Sequence, residues 1–244
     1  MSQFMSGPVQ VAAQTLHSSS ADKLHNLGET VFSNDGRAFR YAQANGTTAL
    51  VAGTLQQSRP ETTSHQDLTA VAAAIGDAAI VSTSTITTSA NEYAEGWALI
   101  TVTPGIGRQY KIKGHAAFAA AAPTFNLFDT IAVALTTDSR IDVVRNPYSR
   151  VVINPTTATA APIGVAVHPL AVSEFGWLQV GGVASILADG ALLVGQEVIA
   201  SNGTAGAVEP QGAGPGSGTQ SCIGFAMTGV ATTENGAVKL QGIL

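Results

Sequence analysis

The chain has 244 residues, enough for one large all-β domain or two smaller ones and for a sizeable buried core. Hydrophobic residues make up an ordinary 45%, but charged residues only 11%, against about 25% in typical soluble domains, so an isolated copy would show water much Ala, Thr, Ser, Gly and apolar surface. Assembly with copies or a partner is expected. The net charge of −5 is uneven: residues 1–100 carry 4 basic and 8 acidic side chains, 101–150 carry 6 and 3, and 151–244 carry 1 and 5. No basic stripe interleaves with aromatic residues, so a nucleic-acid partner is not expected.

Residues 1–35 are polar and aperiodic, with Gly7-Pro8 and a Ser18-Ser19-Ser20 run, and are expected as an extended arm, disordered alone or laid along a neighbour. The opening residues lack a basic region followed by an apolar one, and the apolar runs at 68–75 and 116–122 are too short to span a bilayer. No secretory signal and no membrane partner are therefore expected, and synthesis in the cytoplasm is. From Gly36, Arg37, Phe39, Tyr41 and Gln43 alternate with Ala38, Arg40, Ala42 and Ala44, a period of two that predicts a strand. Asn45-Gly46 predicts a tight turn into a second strand at 49–51.

Pro60 and several Thr and Ser make 59–70 a linker. Further strands are predicted at 78–87, 96–103, 108–113, 130–135, 141–144 and 151–153, from Val, Ile and Thr between turn residues such as Asn146-Pro147. The Ala-rich stretches at 70–79 and 116–122 are candidates for short helices. A Gly-rich stretch at 212–218 reads as a surface loop. Asn202-Gly203 and Asn235-Gly236 add two more hairpin signals.

Near the C-terminus the chain repeats itself. Ile163-Gly164-Val165-Ala166-Val167, through Ala171 and Gly176 to Gly182, returns 60 residues later as Ile223-Gly224-Phe225-Ala226-Met227, through Ala231 and Gly236 to Gly242. Small residues keep their places while Val165/Phe225, Val167/Met227, Leu178/Val238 and Val180/Leu240 exchange apolar side chains. Such a pattern repeats backbone geometry, not a reagent. Each copy holds about two strands and cannot bury a core alone, so one barrel-like domain is favoured over independent halves.

Catalytic patterns are missing. No nucleophile elbow, phosphate loop or His-Glu-x-x-His is present, and Gly105-Ile106-Gly107 lacks the rest of a dinucleotide fingerprint. His17, His25, His65, His115 and His168 show no metal-ligand spacing, and Cys222, the only cysteine, reads as a small buried hydrophobe. No catalytic residue, cofactor or metal is expected. Two clusters suit an interface instead. Gly36-Arg37-Ala38-Phe39-Arg40-Tyr41 sets Arg37, Phe39 and Tyr41 on one strand face beside Arg40, and the turn Arg145-Asn146-Pro147-Tyr148-Ser149-Arg150 adds Arg145 and Tyr148.

These segments, with Thr48-Ala49-Leu50-Val51-Ala52-Gly53-Thr54-Leu55, Ile163-Gly164-Val165-Ala166 and Phe175-Gly176-Trp177-Leu178-Gln179-Val180-Gly181-Gly182, resemble structural head proteins of tailed bacteriophages. The nearest group is the capsid decoration or cement proteins. The resemblance is one of pattern from about residue 24 onward, and no single motif is diagnostic. It implies a β-rich, trimeric, non-enzymatic virion protein on the capsid exterior that binds the major capsid protein and fastens neighbouring shell subunits. The interface candidates are Arg37, Phe39, Arg40, Tyr41, Arg145, Tyr148 and Trp177. Decoration proteins are often near half this length, which leaves room for an alternative, a fibre or adhesin module stacking host carbohydrate on Trp97, Trp177 or Tyr148. A polysaccharide hydrolase would need paired carboxylates that the sequence does not place. The expected fold is all-β: small sandwich or barrel modules, an N-terminal arm at 1–35, a β-rich region at 36–160 divisible near 59–70, and a barrel-like domain at 161–244.

Overall fold

A computed structural model of the protein describes residues 11–212 and 222–241. Residues 1–10 of the expected arm, residues 213–218 of the expected loop and Gly242 of the repeat lie outside the described residues. The chain is nearly all-β, 43% strand and 3% helical. The described helical residues are two 3-10 turns, Ala13–His17 and Thr63–His65. Before residue 61 come β1 (Thr30–Phe32), β2 (Ala38–Gln43) and β3 (Leu55–Gln57). Residues 61–146 hold β4 (Leu68–Thr69), β5 (Ala79–Val81), β6 (Ile86–Thr88), β7 (Trp97–Val102), β8 (Gln109–Gly114), β9 (Phe118–Ala121), β10 (Thr124–Leu127) and β11 (Arg140–Val144). Then follow β12 (Val152–Ile153), β13 (Pro162–Ala166), β14 (Phe175–Leu187), β15 (Glu197–Ala200), β16 (Val208–Pro210), β17 (Cys222–Ala226) and β18 (Asn235–Leu240).

Two compact units divide the chain, one of residues 61–146 and one formed by the segments on either side. The first boundary falls inside the predicted linker. The second falls at 146/147 instead of 160, and β2 and β3 join the C-terminal strands across the intervening unit. Long-range strand pairing decides this, and local pattern carries no trace of it.

The unit of residues 61–146 is a six-stranded sheet in the order β4-β11-β7-β8-β10-β5, with β6 and β9 paired separately. An antiparallel bridge between Ala70 and Ser82 links the two ends of the sheet and curls it. Alternation builds its core: β11 buries Ile141 and Val143 and turns Arg140, Asp142 and Val144 outward. Ile80, Tyr93, Ile100, Ile112, Phe125 and Ile141 fill the centre. Residues 118–121 form strand β9 against β6 and not the helix that their alanines suggest, and 79–81 form β5, because cross-strand partners outweigh alanine's helix propensity. Residues 130–135 contribute only a bridge, Ala73 to Leu135.

The other unit is a duplicated module. In the first copy, β13 meets β14 with Val165 opposite Gln179 and Ala166 opposite Leu178; in the second, β17 meets β18 with Phe225 opposite Lys239 and Ala226 opposite Val238. The correspondence continues beyond the visible repeat. Leu55 and Gln56 of β3 face Val165 and Gly164 as Glu197 and Val198 of β15 face Phe225 and Gly224. Phe39, Arg40 and Tyr41 of β2 face Gln179, Leu178 and Trp177 as Val183, Ala184 and Ser185 face Lys239, Val238 and Ala237. Val152 of β12 faces Gln57 as Glu209 of β16 faces Ile199. A parallel bridge, Ala44 to Val151 in one copy and Ala188 to Val208 in the other, links the first strand of each module to its third. Strand β14 ends the first module and begins the second. The whole unit of residues 61–146 sits in the β3–β12 connection, where the second module has only residues 201–207 between β15 and β16.

Turn chemistry is duplicated too. Ser173 and Thr233 both take the left-handed conformation, at φ 64° and 68°. Beside them the Glu174 carboxylate accepts from the Ala171 N–H at 3.1 Å and that of Glu234 from the Ala231 N–H at 3.2 Å. Asn235-Gly236 therefore begins β18 and does not form a hairpin turn; the turn precedes it. Asn45-Gly46 likewise leads from β2 to the Leu50–Leu170 bridge, since β2 pairs with β1 and β14 and not with 49–51.

The small residues that keep register have a steric cause. A Cβ on Gly224 would lie 2.2 Å from the Lys239 carbonyl oxygen and one on Gly164 2.9 Å from that of Gln179. Gly224→Ala should cost about 1–3 kcal/mol in urea unfolding through forced strand separation. Gly36→Ala meets open space and only the strain of φ +83°, so about 1 kcal/mol is expected. Equal costs at the two sites would refute the close-approach explanation.

Candidate interaction surfaces

Most aromatic and arginine candidates lie inside the chain's own cores. Phe39 is 0% exposed, and Tyr41 and Trp177 are 2% exposed. They form one cluster with Leu16 and Val31, contributed by the segment that precedes β2. Trp177 meets Tyr41 edge-on with centroids 5.0 Å apart, and the Tyr41 hydroxyl accepts from the Leu24 N–H at 3.2 Å. The described part of the arm thus lies along its own module: Ser20 and Phe175 exchange backbone hydrogen bonds of 3.0 and 2.8 Å. Leu and Val in the segment, which the Ser-rich composition hides, give it that apolar footing.

Arg40 of β2 and Arg37, the residue just before the strand, have different partners. Arg37 stacks 5.3 Å from the Phe39 ring centroid and pairs with Asp35 at 2.7 Å. Arg40 lies 5.5 Å from the Tyr148 ring centroid and donates to the Gly28 carbonyl at 3.0 Å. Tyr148 is buried, and burial pushes its phenol above the ordinary value.

Arg145 is the centre of a buried polar cluster in the unit of residues 61–146. Its guanidinium donates to Glu92 at 2.6 Å, Glu61 at 3.0 Å and Thr62 at 2.8 Å, and lies 4.9 Å from the Tyr93 ring centroid. Arg145 and Glu92 are nearly enclosed, whereas Glu61 reaches solvent. Burial pushes the Tyr93 phenol up to about 12. His65 bonds through Nδ1 to the Tyr93 hydroxyl, while His115 accepts the Tyr93 N–H at Nε2 over 3.0 Å and bonds the Ala116 carbonyl through Nδ1. The sequence reading placed none of these histidines together. Their meeting depends on strands far apart in the chain.

Burial holds the His65 imidazole below its ordinary value, with Arg145 adding to the effect, and burial does the same to His115. An unfolded chain would bind protons at these sites near pH 6.5, before the folded one does. Their contribution to stability is complete above about pH 6.5 and is lost as pH falls below it. The melting temperature of this unit should fall between about pH 7 and pH 5, and His115→Gln should flatten part of that slope. A slope unchanged in the variant would remove His115 from the account.

Among the described residues, no group of three His, Cys, Asp or Glu side chains is placed to hold a metal ion. Cys222 is half-buried, and burial with the neighbouring Glu197 pushes its thiol up to about 11, away from the thiolate that reactive cysteines use. Trp97 is half-buried beneath the Lys111 ammonium, which lies 5.2 Å from its ring centroid. An open depression beside β5, lined by Val71, Ala73, Val81 and Asn126, has one titratable side chain, Asp77, whose carboxylate already accepts the Ala74 N–H at 2.7 Å.

The exposed apolar side chains are the surfaces that the sequence reading missed. Leu24 is 64% exposed, and Phe32, the last residue of β1, is 56% exposed; among the described residues β1 pairs with β2 alone. On the second module Val183, Leu193, Val194, Phe225 and Met227 are 47, 68, 72, 38 and 49% exposed. Ile75 and Ile106 stand out on the unit of residues 61–146. A signal existed in the sequence: Ala49-Leu50-Val51-Ala52-Gly53 matches Ala191-Leu192-Leu193-Val194-Gly195 and extends the repeat.

The fold defines an all-β protein whose larger unit is built from a duplicated module. No protein-family model matches the chain, and no match was found among curated proteins or solved structures.

Proposed function

We propose that the protein is a structural virion protein that binds the outside of a bacteriophage head and fastens neighbouring major capsid subunits, acting as a trimer and without catalysis. The observation that carries this reading is the spread of large apolar side chains exposed on both units of a chain that is only 11% charged. Such a surface suits contact with many copies of one partner, each weak, made strong together. The shell-facing region in this proposal is the edge of β1 with Phe32 and Leu24. A strand edge left unpaired among the described residues, with the exposed Phe32 at its end, suits an added strand. Val31 of β1 packs with Phe39, Tyr41 and Trp177, which are enclosed within the chain. Trp177 and Tyr148 are buried, and the half-buried Trp97 has the Lys111 ammonium over its ring, so the adhesin alternative has no open ring face to rest on and is not carried forward. Copy number in purified particles, by quantitative mass spectrometry against the shell protein, tests the proposal. About one copy per shell subunit supports it; a handful per particle moves the protein to a vertex or tail; absence from the particle overturns it.

A further inference from the structure

Equivalent rows of side chains cross the two modules. In the first, Phe39, Gln179, Val165 and Leu55 lie side by side on adjacent strands; in the second, Val183, Lys239, Phe225 and Glu197 occupy the same places. The first row is sealed, at 0, 2, 0 and 0% exposed. Leu16 and Val31 cover Phe39, while Val165 and Leu55 pack into the core of the second module. The second row is open, with Val183 and Phe225 at 47 and 38% exposed, and Met227, two residues on from Phe225, is 49% exposed.

The second row differs in charge as well as in cover. Glu197 stands where Leu55 does, and Lys239 where Gln179 does. A carboxylate and an ammonium cannot enter an apolar core as Leu55 and Val165 do without heavy desolvation. What covers this row must therefore match a cation on one side of Phe225 and an anion on the other. The row itself meets that requirement. A two-fold axis over Phe225, parallel to the strands, lays Phe225 on its copy and sets Lys239 against Glu197 of the copy at both ends. Lys239 takes part in none of the ion pairs of the described residues, which leaves its charge available.

We infer that two copies of this chain pair face to face through the second module, across Val183, Lys239, Phe225, Glu197 and Met227. The first module cannot pair this way because its own row is already occupied. The contact is independent of head binding and of the trimer proposed above, and is read on the free protein. Sedimentation equilibrium of the full chain should give an even number of copies: two for the pairing alone, six for pairing together with a three-fold contact.

Lys239→Glu and Glu197→Lys should each weaken pairing by about ten-fold, and the double reversal should restore it to within a few-fold, because the two sites face each other across the axis. Phe225→Asp, at a solvent-facing position, should weaken pairing by about thirty-fold while leaving the melting curve of the fold in place. One or three copies in the free wild-type protein, or a double reversal that fails to restore pairing, overturns the inference. Failure of the protein to bind empty shells would count against the proposed function and leave this contact standing.

Discussion

Arg145→Ala should destabilise the unit of residues 61–146 by about 3–5 kcal/mol, because it strands a buried carboxylate. Glu92 sits 2.6 Å from the guanidinium with a side chain only 8% exposed, so water cannot replace the lost partner. Glu61 is 31% exposed and would recover hydration, so Glu61→Gln should cost far less, about 1 kcal/mol or below. Arg145→Lys should fall between the two. A single ammonium cannot reproduce the fork that reaches Glu92, Glu61 and Thr62 together. Urea unfolding followed by far-UV circular dichroism reads all three variants. A loss below about 1 kcal/mol for Arg145→Ala would show that the cluster relaxes or hydrates freely.

Trp177→Ala should cost about 3–5 kcal/mol in the duplicated unit, the range for deleting a large buried aromatic side chain. Trp177 contacts Tyr41 edge-on and sits under Leu16 and Val31, so its removal leaves a void that the N-terminal segment cannot fill. The second module already carries Ala237 at the equivalent place and, among the described residues, has no covering segment, which shows what the alanine variant would resemble. The measurement separates two roles for this residue. A core tryptophan lowers the stability of the free protein; an interface tryptophan leaves it unchanged and weakens only assembly. Loss of assembly at full stability would return Trp177 to the interface.

Period-two alternation in residues 37–44 placed β2, and the patterns at 96–103, 108–113 and 141–144 placed β7, β8 and β11 to within a residue or two. Local patterning suffices for β7, β8 and β11 because each buries one face, whereas β2 is buried on both and was placed by the alternation of large side chains with mostly small ones. The Ala-rich stretch 116–122 misled, since a poly-alanine run carries no face and its state was decided by β6 alongside it. The repeat at 163–182 and 223–242 was legible because glycines at close approaches cannot vary: Gly164 and Gly224 lie against carbonyl oxygens of the paired strand. Its earlier strands, β2 and β3, were harder to see, separated from the rest of the module by an 86-residue unit that runs from Glu61 to Asn146.

Among the site residues, the type of side chain misled in a consistent way. Arg and Tyr are enriched at interfaces, yet Arg145, Tyr41 and Tyr148 are enclosed, satisfied by Glu92, Trp177 and Arg40 from distant parts of the chain. Val183, Phe225 and Met227 look like core residues in the sequence and stand exposed. They hold places equivalent to buried ones in the first module, and among the described residues the N-terminal segment covers the first module and not the second.

The sequence by itself determined the all-β class, the low charge that favours assembly, and the recurrence of one backbone geometry near the C-terminus. Those depend on composition, on local alternation and on glycines that touch backbone. Tertiary structure decided that the repeat is a whole module begun by β2, that residues 61–146 interrupt its first copy, and that the N-terminal segment seals one row of side chains and leaves its twin open. Such facts rest on pairing between residues more than a hundred positions apart, which no local window of sequence contains.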